Sequence, residues 1–238
     1  MKKAVLFDLG NTLVAYYLRA EWPGVARECI GGVRDLLAER GALEVAEDEL
    51  WRRVEQEDYV AADHRVRPLE GRLARIFGLP SAAPDGKEAS SVDRLCRRFM
   101  EPIFARARPF EDAVPVLTEL RDAGLRTAIV SNTPWGSPAA LWREELERHG
   151  LAERVDLAVF CGDVGWRKPD RRIFVAALEA LGVGAQDCAF VGDDARWDVA
   201  GPRAVGMEAV LVDRDGSAGR AAAPRTRSLR ELRALLRL

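Results

Sequence analysis

The feature that most constrains the fold of this chain is a set of short apolar runs in which apolar and polar residues do not alternate. The runs are "KAVLFD" (3–8), "RTAIVS" (126–131), "VDLAVF" (155–160), "CAFVGD" (188–193) and "EAVLV" (208–212). Runs of this kind are typical of strands that are buried on both faces of a sheet. Because segments with helical periodicity separate the later runs, the pattern predicts an α/β fold with a parallel sheet covered by helices.

The segments between the later runs carry residues that typically begin and end helices. Asp170 is a favourable N-cap residue, and Gly182 is a favourable residue after a last turn. A second helix is predicted to begin at Ser137, followed by a first-turn proline, and to stop at Gly150. Near the C-terminus, "SLRE" (228–231) has the spacing of a capping box, which predicts a last helix that packs on the sheet.

A long segment between the first two runs is patterned as helix throughout. Its helical stretches are "VARECIGGVRDLLAERG", "EDELWRRVEQEDYVAADH", "PLEGRLARIFG" and "SVDRLCRRFMEPIF". An ordinary crossover between parallel strands needs one helix, so a segment of this length predicts an inserted helical domain. We therefore expect an α/β core formed by residues 1–15 and 106–238 and a helical insert over residues 16–105.

Composition and charge exclude several classes of partner. The chain has 36 basic and 38 acidic residues and a formal net charge of -2, so bulk charge favours neither nucleic acid nor an anionic membrane. The four cysteines lie far apart without a CxxC motif, which indicates buried thiols and neither a zinc site nor a disulfide framework. The apolar run near the N-terminus is too short for a signal peptide, so we expect a cytoplasmic protein.

Polar residues follow four of the predicted strands. Asp8, Ser131 and Asp193 end their strands, and Lys168 lies in the loop after the third. Because ligands of open parallel sheets bind at the carboxyl edge, we expect these four side chains to meet there. A carboxylate that attacks phosphorus needs neighbouring cations and hydroxyls to neutralise the phosphate. The combination therefore predicts phosphoryl transfer, with Mg²⁺ held by acidic residues of "GDDARWD" (192–198).

Four motifs in this order resemble the haloacid dehalogenase (HAD) superfamily. They are "FDLGNTL" (7–13), "IVSN" (129–132), "GWRKPD" (165–170) and "VGDDARWDVAGPRAVGM" (191–207). The helical insert falls between the first and second motifs, where one subfamily carries a helical cap domain. The resemblance implies a Rossmann-like core with an inserted helical cap.

The resemblance also implies catalytic roles by position. Asp8 would be the nucleophile that forms an aspartyl-phosphate, and Thr12 would hydrogen-bond near it. Ser131 and Asn132 would hold the phosphoryl oxygens of the substrate. Lys168 would pair with the nucleophile and with the phosphate.

A metal site is implied in the same way. Asp8 and Asp193 would bind Mg²⁺ together with the backbone carbonyl of Gly10. Asp198 would act through water or by orientation, and Asp194 is a further possible ligand.

The chain departs from the phosphatases of this family at Gly10, where they normally carry an aspartate that protonates the leaving oxygen and later activates water. The sequence favours a Mg²⁺-dependent hydrolase of a small phosphorylated metabolite in which another group supplies the proton or the substrate has a good leaving group. Candidate acids in the insert are Glu21, Asp63 and His64. Two alternatives stay open: a 2-haloacid dehalogenase, and a protein that binds a phosphorylated ligand or a partner with little catalysis. The sequence makes no prediction of the oligomeric state.

Overall fold

The structure is a computed structural model that describes residues 2–57, 61–79, 87–216 and 223–238. The strands in these ranges are β1 (Ala4–Phe7), β2 (Val14–Ala15), β3 (Arg108–Pro109), β4 (Arg126–Ser131), β5 (Leu157–Phe160), β6 (Cys188–Gly192), β7 (Glu208–Val212) and β8 (Arg225–Thr226). The α-helices are α1 (Trp22–Glu39), α2 (Glu47–Glu55), α3 (Leu69–Phe77), α4 (Lys87–Phe104), α5 (Ala113–Asp122), α6 (Ala139–Arg148), α7 (Cys161–Val164), α8 (Arg171–Leu181), α9 (Gly201–Ala204) and α10 (Leu232–Leu236).

A six-stranded parallel sheet with the order β5-β4-β1-β6-β7-β8 forms the centre of the fold. All five apolar runs form strands of this sheet, so the predicted α/β class is confirmed. β1 lies between β4 and β6, and Phe7 at its end is level with Ile129 on one side and Val191 on the other. This register brings the residues that follow the three strands to one edge of the sheet.

The central strand is buried on both faces. Val5 and Phe7 belong to one hydrophobic cluster, whereas Ala4 and Leu6 belong to another that includes Phe174 of α8. Since successive side chains of a strand point to opposite faces, this division accounts for the absence of polar alternation in the sequence.

The segment between β2 and β3 contains α1 to α4, in agreement with its helical pattern. β2 and β3 pair antiparallel, with Val14 opposite Pro109 and Ala15 opposite Arg108, so the chain leaves and re-enters the core at adjacent points. α1 and α4 pack together through buried residues such as Cys29 and Phe99. The division into domains at 15/16 and 105/106 stays a prediction, and the predicted break over 80–90 lies partly outside the described residues.

Of two predicted helix caps, one is present in the structure and the other is absent. The Asp170 side chain accepts a hydrogen bond from the Arg172 backbone, and α8 ends at Gly182, as predicted. Ser137 does not cap α6, because its hydroxyl oxygen accepts a hydrogen bond from Nε1 of Trp142. The hydroxyl of the potential cap therefore binds a side chain of the same helix and not a backbone N–H of its first turn.

The predicted capping box near the C-terminus is only half formed. Ser228 caps the backbone N–H of Arg230 at 3.3 Å. The N–H of Ser228 donates to the Thr226 hydroxyl rather than to Glu231, whose carboxylate lies 2.6 Å from that same hydroxyl. The last helix nevertheless buries its leucines in the core, as expected.

Two predictions about the whole chain can also be compared with the structure. All four cysteines are free and buried. In the described part of the chain, the helices lack the combination of length and apolar character that crossing a membrane requires.

Candidate active site

Asp8 lies directly after the central strand and is held there by both neighbouring strands. Its backbone N–H donates to the carbonyl of Val191 at 2.9 Å. Its carboxylate Oδ1 accepts hydrogen bonds from Oγ of Ser131 at 3.0 Å and from Nζ of Lys168 at 2.6 Å. The structure therefore brings together the acid, the hydroxyl and the ammonium that the sequence places at three separate strand ends.

Lys168 is the centre of a buried charge network. Only 1% of its surface is exposed, and its Nζ lies 2.6 Å from both Oδ1 of Asp8 and Oδ1 of Asp198. Burial by itself lowers the pKa of a lysine, but the two carboxylates outweigh it and raise the pKa of Lys168. The lysine therefore remains charged at neutral pH.

A cluster of three carboxylates lies beside this lysine. Oxygens of Asp8, Asp193 and Asp198 are within 4.8 Å of one another. Burial, and then the charges of Asp8 and Asp198, raise the pKa of Asp193 to about 8. A divalent cation would relieve this repulsion, and hard carboxylate oxygens are the ligands that Mg²⁺ prefers. The donor set therefore fits Mg²⁺, with the Gly10 carbonyl as a candidate fourth oxygen.

Asp194 is not one of the three clustered carboxylates, and its role as a further metal ligand stays a prediction. Its Oδ1 accepts hydrogen bonds from the backbone of Arg196 and Trp197 and so caps the π-helical turn Ala195–Ala200. The backbone N–H of Asp194 in turn donates to Oδ2 of Asp198 at 3.0 Å. Asp194 thus orients Asp198 rather than joining the three clustered carboxylates.

The tight fit of Asp198 depends on a glycine. A Cβ built at Gly192 would lie 2.4 Å from Cγ of Asp198, which is closer than atoms can approach. Only a residue without a side chain allows the carboxylate to reach Lys168 across the end of β6.

Asn132 and Thr12 make contacts that the resemblance does not describe, and the role of Asn132 in holding phosphoryl oxygens, through its backbone or its side chain, stays a prediction. The Asn132 side chain pairs with the backbone of Lys168, accepting from its N–H at 2.8 Å and donating to its carbonyl at 3.2 Å. It therefore positions the lysine loop. The Thr12 hydroxyl is buried without a hydrogen-bond partner among the described residues, so the expected hydrogen bond near Asp8 is not seen.

A cavity of about 140 Å³ opens onto this network. The side of it formed by the first loop and the insert includes Gly10, Asn11, Tyr16, Tyr17 and Arg19. The remaining lining comes from the core: Asp8, Ser131, Asn132, Thr133, Pro134, Trp142, Arg167, Lys168, Asp193, Asp194 and Trp197.

The three candidate acids do not line this cavity. The Glu21 carboxylate accepts from the backbone of Leu18, and Asp63 is bonded to Arg67. His64 lies beside Arg196, with Nε2 at 3.3 Å from the guanidinium. The structure therefore does not place any of the three in the lining of this cavity.

Arg167 is a lining residue that the sequence analysis did not identify. It precedes Lys168 in the third motif, and its charge next to the lysine was a signal that could have identified it. The aromatic side chain of Tyr16, at the start of the insert, could be expected to shape a substrate pocket, but nothing in its local sequence shows that its hydroxyl is buried without a described partner.

The parallel sheet, the pair of Asp8 and Lys168, and the acidic cluster are the features expected of a hydrolase of the HAD type. Residues 2–206 match the family described as haloacid dehalogenase-like hydrolase, and the chain belongs to this family.

Relatives in this family include both phosphatases and dehalogenases. The chain is 37% identical to a ribulose-1,5-bisphosphate 5-phosphatase of Halopiger xanaduensis, over 90% of this chain and 85% of that protein. It is 38% identical to a phosphoserine phosphatase of Thermus thermophilus over 65% of this chain, a match that spans 56% of the length of that relative. The crystal structure of a 2-haloacid dehalogenase from Pseudomonas syringae superposes with a TM-score of 0.71 and 25% identity, covering 100% of this chain and 99% of the other.

Proposed function

We propose that this protein is a Mg²⁺-dependent hydrolase that releases phosphate from a small phosphorylated metabolite in the cytoplasm. The observation that supports this most directly is the position of the Asp8 carboxylate, which accepts from Ser131 and Lys168 and lies beside Asp193. The phosphatases among its relatives support the same class of reaction.

In the first step, Asp8 attacks the phosphorus. Its Oδ1 is engaged by Ser131 and Lys168, whereas Oδ2 accepts no hydrogen bond from a described residue and is the oxygen available for attack. A bond forms between Oδ2 and phosphorus while the bond to the leaving oxygen breaks, which yields an aspartyl-phosphate. Mg²⁺, held by Asp8, Asp193 and the Gly10 carbonyl, would neutralise charge on the phosphoryl group. Asp198 would keep Lys168 charged and in place.

The leaving oxygen needs a proton that Gly10 cannot supply. General acid assistance is typically worth about 10²–10⁴-fold, which corresponds to roughly 3–5.5 kcal/mol of barrier. Substrates with good leaving groups, such as acyl and aryl phosphates, avoid most of this cost. We therefore propose that these esters are cleaved faster than alkyl phosphates.

In the second step, water attacks the phosphorus of the aspartyl-phosphate, the bond to Oδ2 of Asp8 breaks, and inorganic phosphate leaves. The aspartate that activates this water in related phosphatases is also missing at Gly10. Both half-reactions are therefore expected to be slower than in enzymes that carry it.

The helical insert would act as a cap that selects the substrate. Tyr16, Tyr17 and Arg19 reach the cavity from the start of this segment. Further along, the Val66 N–H donates to the carbonyl of Gly165 at 3.0 Å, next to the lysine loop. These contacts support a role for residues 16–105 in closing the site over its substrate.

A 2-haloacid dehalogenase is the alternative that the structural similarity favours, and it needs no acid because halide leaves unprotonated. Asp193 argues against a dehalogenase, because its carboxylate belongs to an acidic cluster that favours the binding of Mg²⁺. Halide release from 2-chloropropionate in the presence of a chelator would support this alternative.

The experiment that tests the proposed function measures phosphate release from acyl, aryl and alkyl phosphates with Mg²⁺ and with chelator. Wild type should act in Mg²⁺ only, and Asp8→Asn should be inactive. Activity that survives either chelation or Asp8→Asn contradicts the proposal. Absence of turnover, together with stabilisation by phosphate esters, would indicate a binding protein.

A further inference from the structure

Arg167 is a buried cation on the wall of the cavity. Only 5% of its surface is exposed. One guanidinium nitrogen, Nη1, donates to the backbone carbonyl of Thr133 at 3.0 Å, and Nε is buried without a hydrogen-bond partner among the described residues. No acidic residue in the described part of the chain forms an ion pair with it.

The other two buried cations in the described ranges both have carboxylate partners. Arg72, which is 3% exposed, lies 2.7 Å from Glu57, and Lys168 lies 2.6 Å from Asp8 and from Asp198. A buried charge without a counter-charge is costly, which is why buried charges in proteins are normally paired. The position of Arg167 therefore indicates that an anion from outside the chain completes this part of the site.

Neighbouring groups on the same cavity are also suited to an anion. Tyr16 lines the cavity, and its buried hydroxyl has no hydrogen-bond partner among the described residues. Arg19 adds a second, largely exposed guanidinium at the cavity, 3.8 Å from the Asp194 carboxylate. A ligand with a negatively charged group would give Arg167 the counter-charge that the described part of the chain does not provide.

The contacts of Arg167 differ from those of the lysine next to it. Lys168 points to Asp8 and is aimed at the phosphoryl group that is transferred. The Arg167 guanidinium instead contacts Thr133, two residues beyond Ser131. The two adjacent cations are therefore placed to meet two different anionic groups.

We propose that Arg167 determines specificity by binding a second anionic group, a carboxylate or a second phosphate, on the same small phosphomonoester. This inference rests on the proposed function for the transferred phosphate, but it makes a separate statement about the rest of the substrate. It predicts a preference for short phosphorylated acids or bisphosphates over uncharged esters of the same size.

The test compares phosphoglycolate with ethyl phosphate, which has a methyl group in place of the carboxylate. Catalytic efficiency with Mg²⁺ would be measured for wild type, Arg167→Gln and Arg167→Lys. The matched control is Arg65→Gln, which removes an exposed arginine that does not line the cavity. The thermal shift that each ester produces with Mg²⁺ would be measured for the same proteins.

Wild type should prefer phosphoglycolate, and Arg167→Gln should reduce its kcat/KM by about 10- to 100-fold, as expected for loss of a charge-assisted hydrogen bond. Activity on ethyl phosphate should hardly change, Arg167→Lys should restore part of the preference, and Arg65→Gln should behave as wild type. Equal losses on both esters, or a wild type that does not distinguish them, would overturn the inference while the proposed function stands.

Both esters are alkyl phosphates, so the absence of measurable turnover on them does not contradict the proposed function, which the acyl and aryl phosphates test. In that case the thermal shifts still test Arg167. A larger shift with phosphoglycolate than with ethyl phosphate, lost in Arg167→Gln, supports the second anion site. Equal shifts, or none with either ester, reject it.

Discussion

The ammonium of Lys168 lies 2.6 Å from a carboxylate oxygen of Asp8, and both side chains are at least nine-tenths buried. The two residues are 160 positions apart in the sequence. The pair positions the carboxylate of the proposed nucleophile, and Asp198 completes the triad on the other side of the lysine. In the absence of metal, Lys168 is therefore the main counter-charge of the acidic cluster.

Lys168→Met should destabilise the metal-free protein and abolish hydrolysis. Removing one partner of a buried ion pair typically costs about 3–5 kcal/mol, because the remaining charges lose their partner. We expect a fall of about that size in the free energy of unfolding at pH 8, measured by urea denaturation in chelator.

The matched control for this variant is Lys3→Met, which removes an exposed lysine 2.7 Å from Asp187. Exposed pairs contribute little, so this variant should unfold as wild type does. If the two variants were equally stable, the buried network would not have the stabilising role assigned to it.

The metal-free protein should lose stability as pH rises toward 8. The pKa of Asp193 is raised from 3.8 to about 8 by burial and by neighbouring carboxylates, so the folded state binds a proton that the unfolded state has released. The contribution of Asp193 is therefore most favourable below about pH 4 and is lost as pH rises to about 8, with a slope of at most ~1.4 kcal/mol per pH unit.

Asp193→Asn isolates this effect, because an amide does not titrate. Its stability relative to wild type should rise between pH 5 and pH 8 in chelator, as followed by urea unfolding. Mg²⁺ binds the charged carboxylates, so the stabilisation of wild type by Mg²⁺ should grow over the same range. Parallel stability curves for the two proteins in chelator would show that Asp193 is not the titrating group.

Gly10→Asp should extend hydrolysis to alkyl phosphates. A Cβ at Gly10 would meet only the Tyr16 ring, at 4.0 Å, so the site has room for the side chain. An added general acid should accelerate ethyl phosphate hydrolysis by about 10²–10⁴-fold. Aryl phosphates, which leave without a proton, should change much less.

Gly10→Asn has almost the same shape and carries no acid, so it should not show this gain. Phosphate release from ethyl phosphate and p-nitrophenyl phosphate would be compared in the two variants and wild type. A similar gain in both variants would show that the carboxyl group is not responsible. A wild type that already cleaves ethyl phosphate rapidly would show that another residue supplies the proton.

Gly192→Ala should displace Asp198 from Lys168. The added methyl would overlap the Asp198 carboxylate, and overpacking of this kind typically costs about 1–3 kcal/mol. We expect that loss in the free energy of unfolding, together with weaker Mg²⁺ binding measured by calorimetry. Gly31→Ala in α1, where nothing lies within 4 Å, should be neutral or slightly stabilising. Equal behaviour of the two variants would contradict the proposed packing role of Gly192.

The strands and the order of the motifs were predictable because they depend on local properties of the chain. A continuous apolar run such as 188–192 can form a buried strand wherever it lies, and Asp170 and Gly182 begin and end a helix through their own backbone contacts. Ser137 shows the limit of this approach, since its hydroxyl accepts a hydrogen bond from the side chain of Trp142 in the same helix and does not cap the backbone.

The sequence by itself determined the α/β class, the helical segment between the first two motifs, and the presence of a carboxylate, a hydroxyl, a lysine and further acids at or just after strand ends. Only the tertiary structure decided which atoms meet. In the structure, the Asn132 side chain pairs with the Lys168 backbone, and Asp194 lies outside the acidic cluster. Arg167 is buried without a described carboxylate partner. The reason is physical: secondary structure follows from local periodicity and capping, whereas side-chain contacts depend on register and packing between segments that are far apart in the chain.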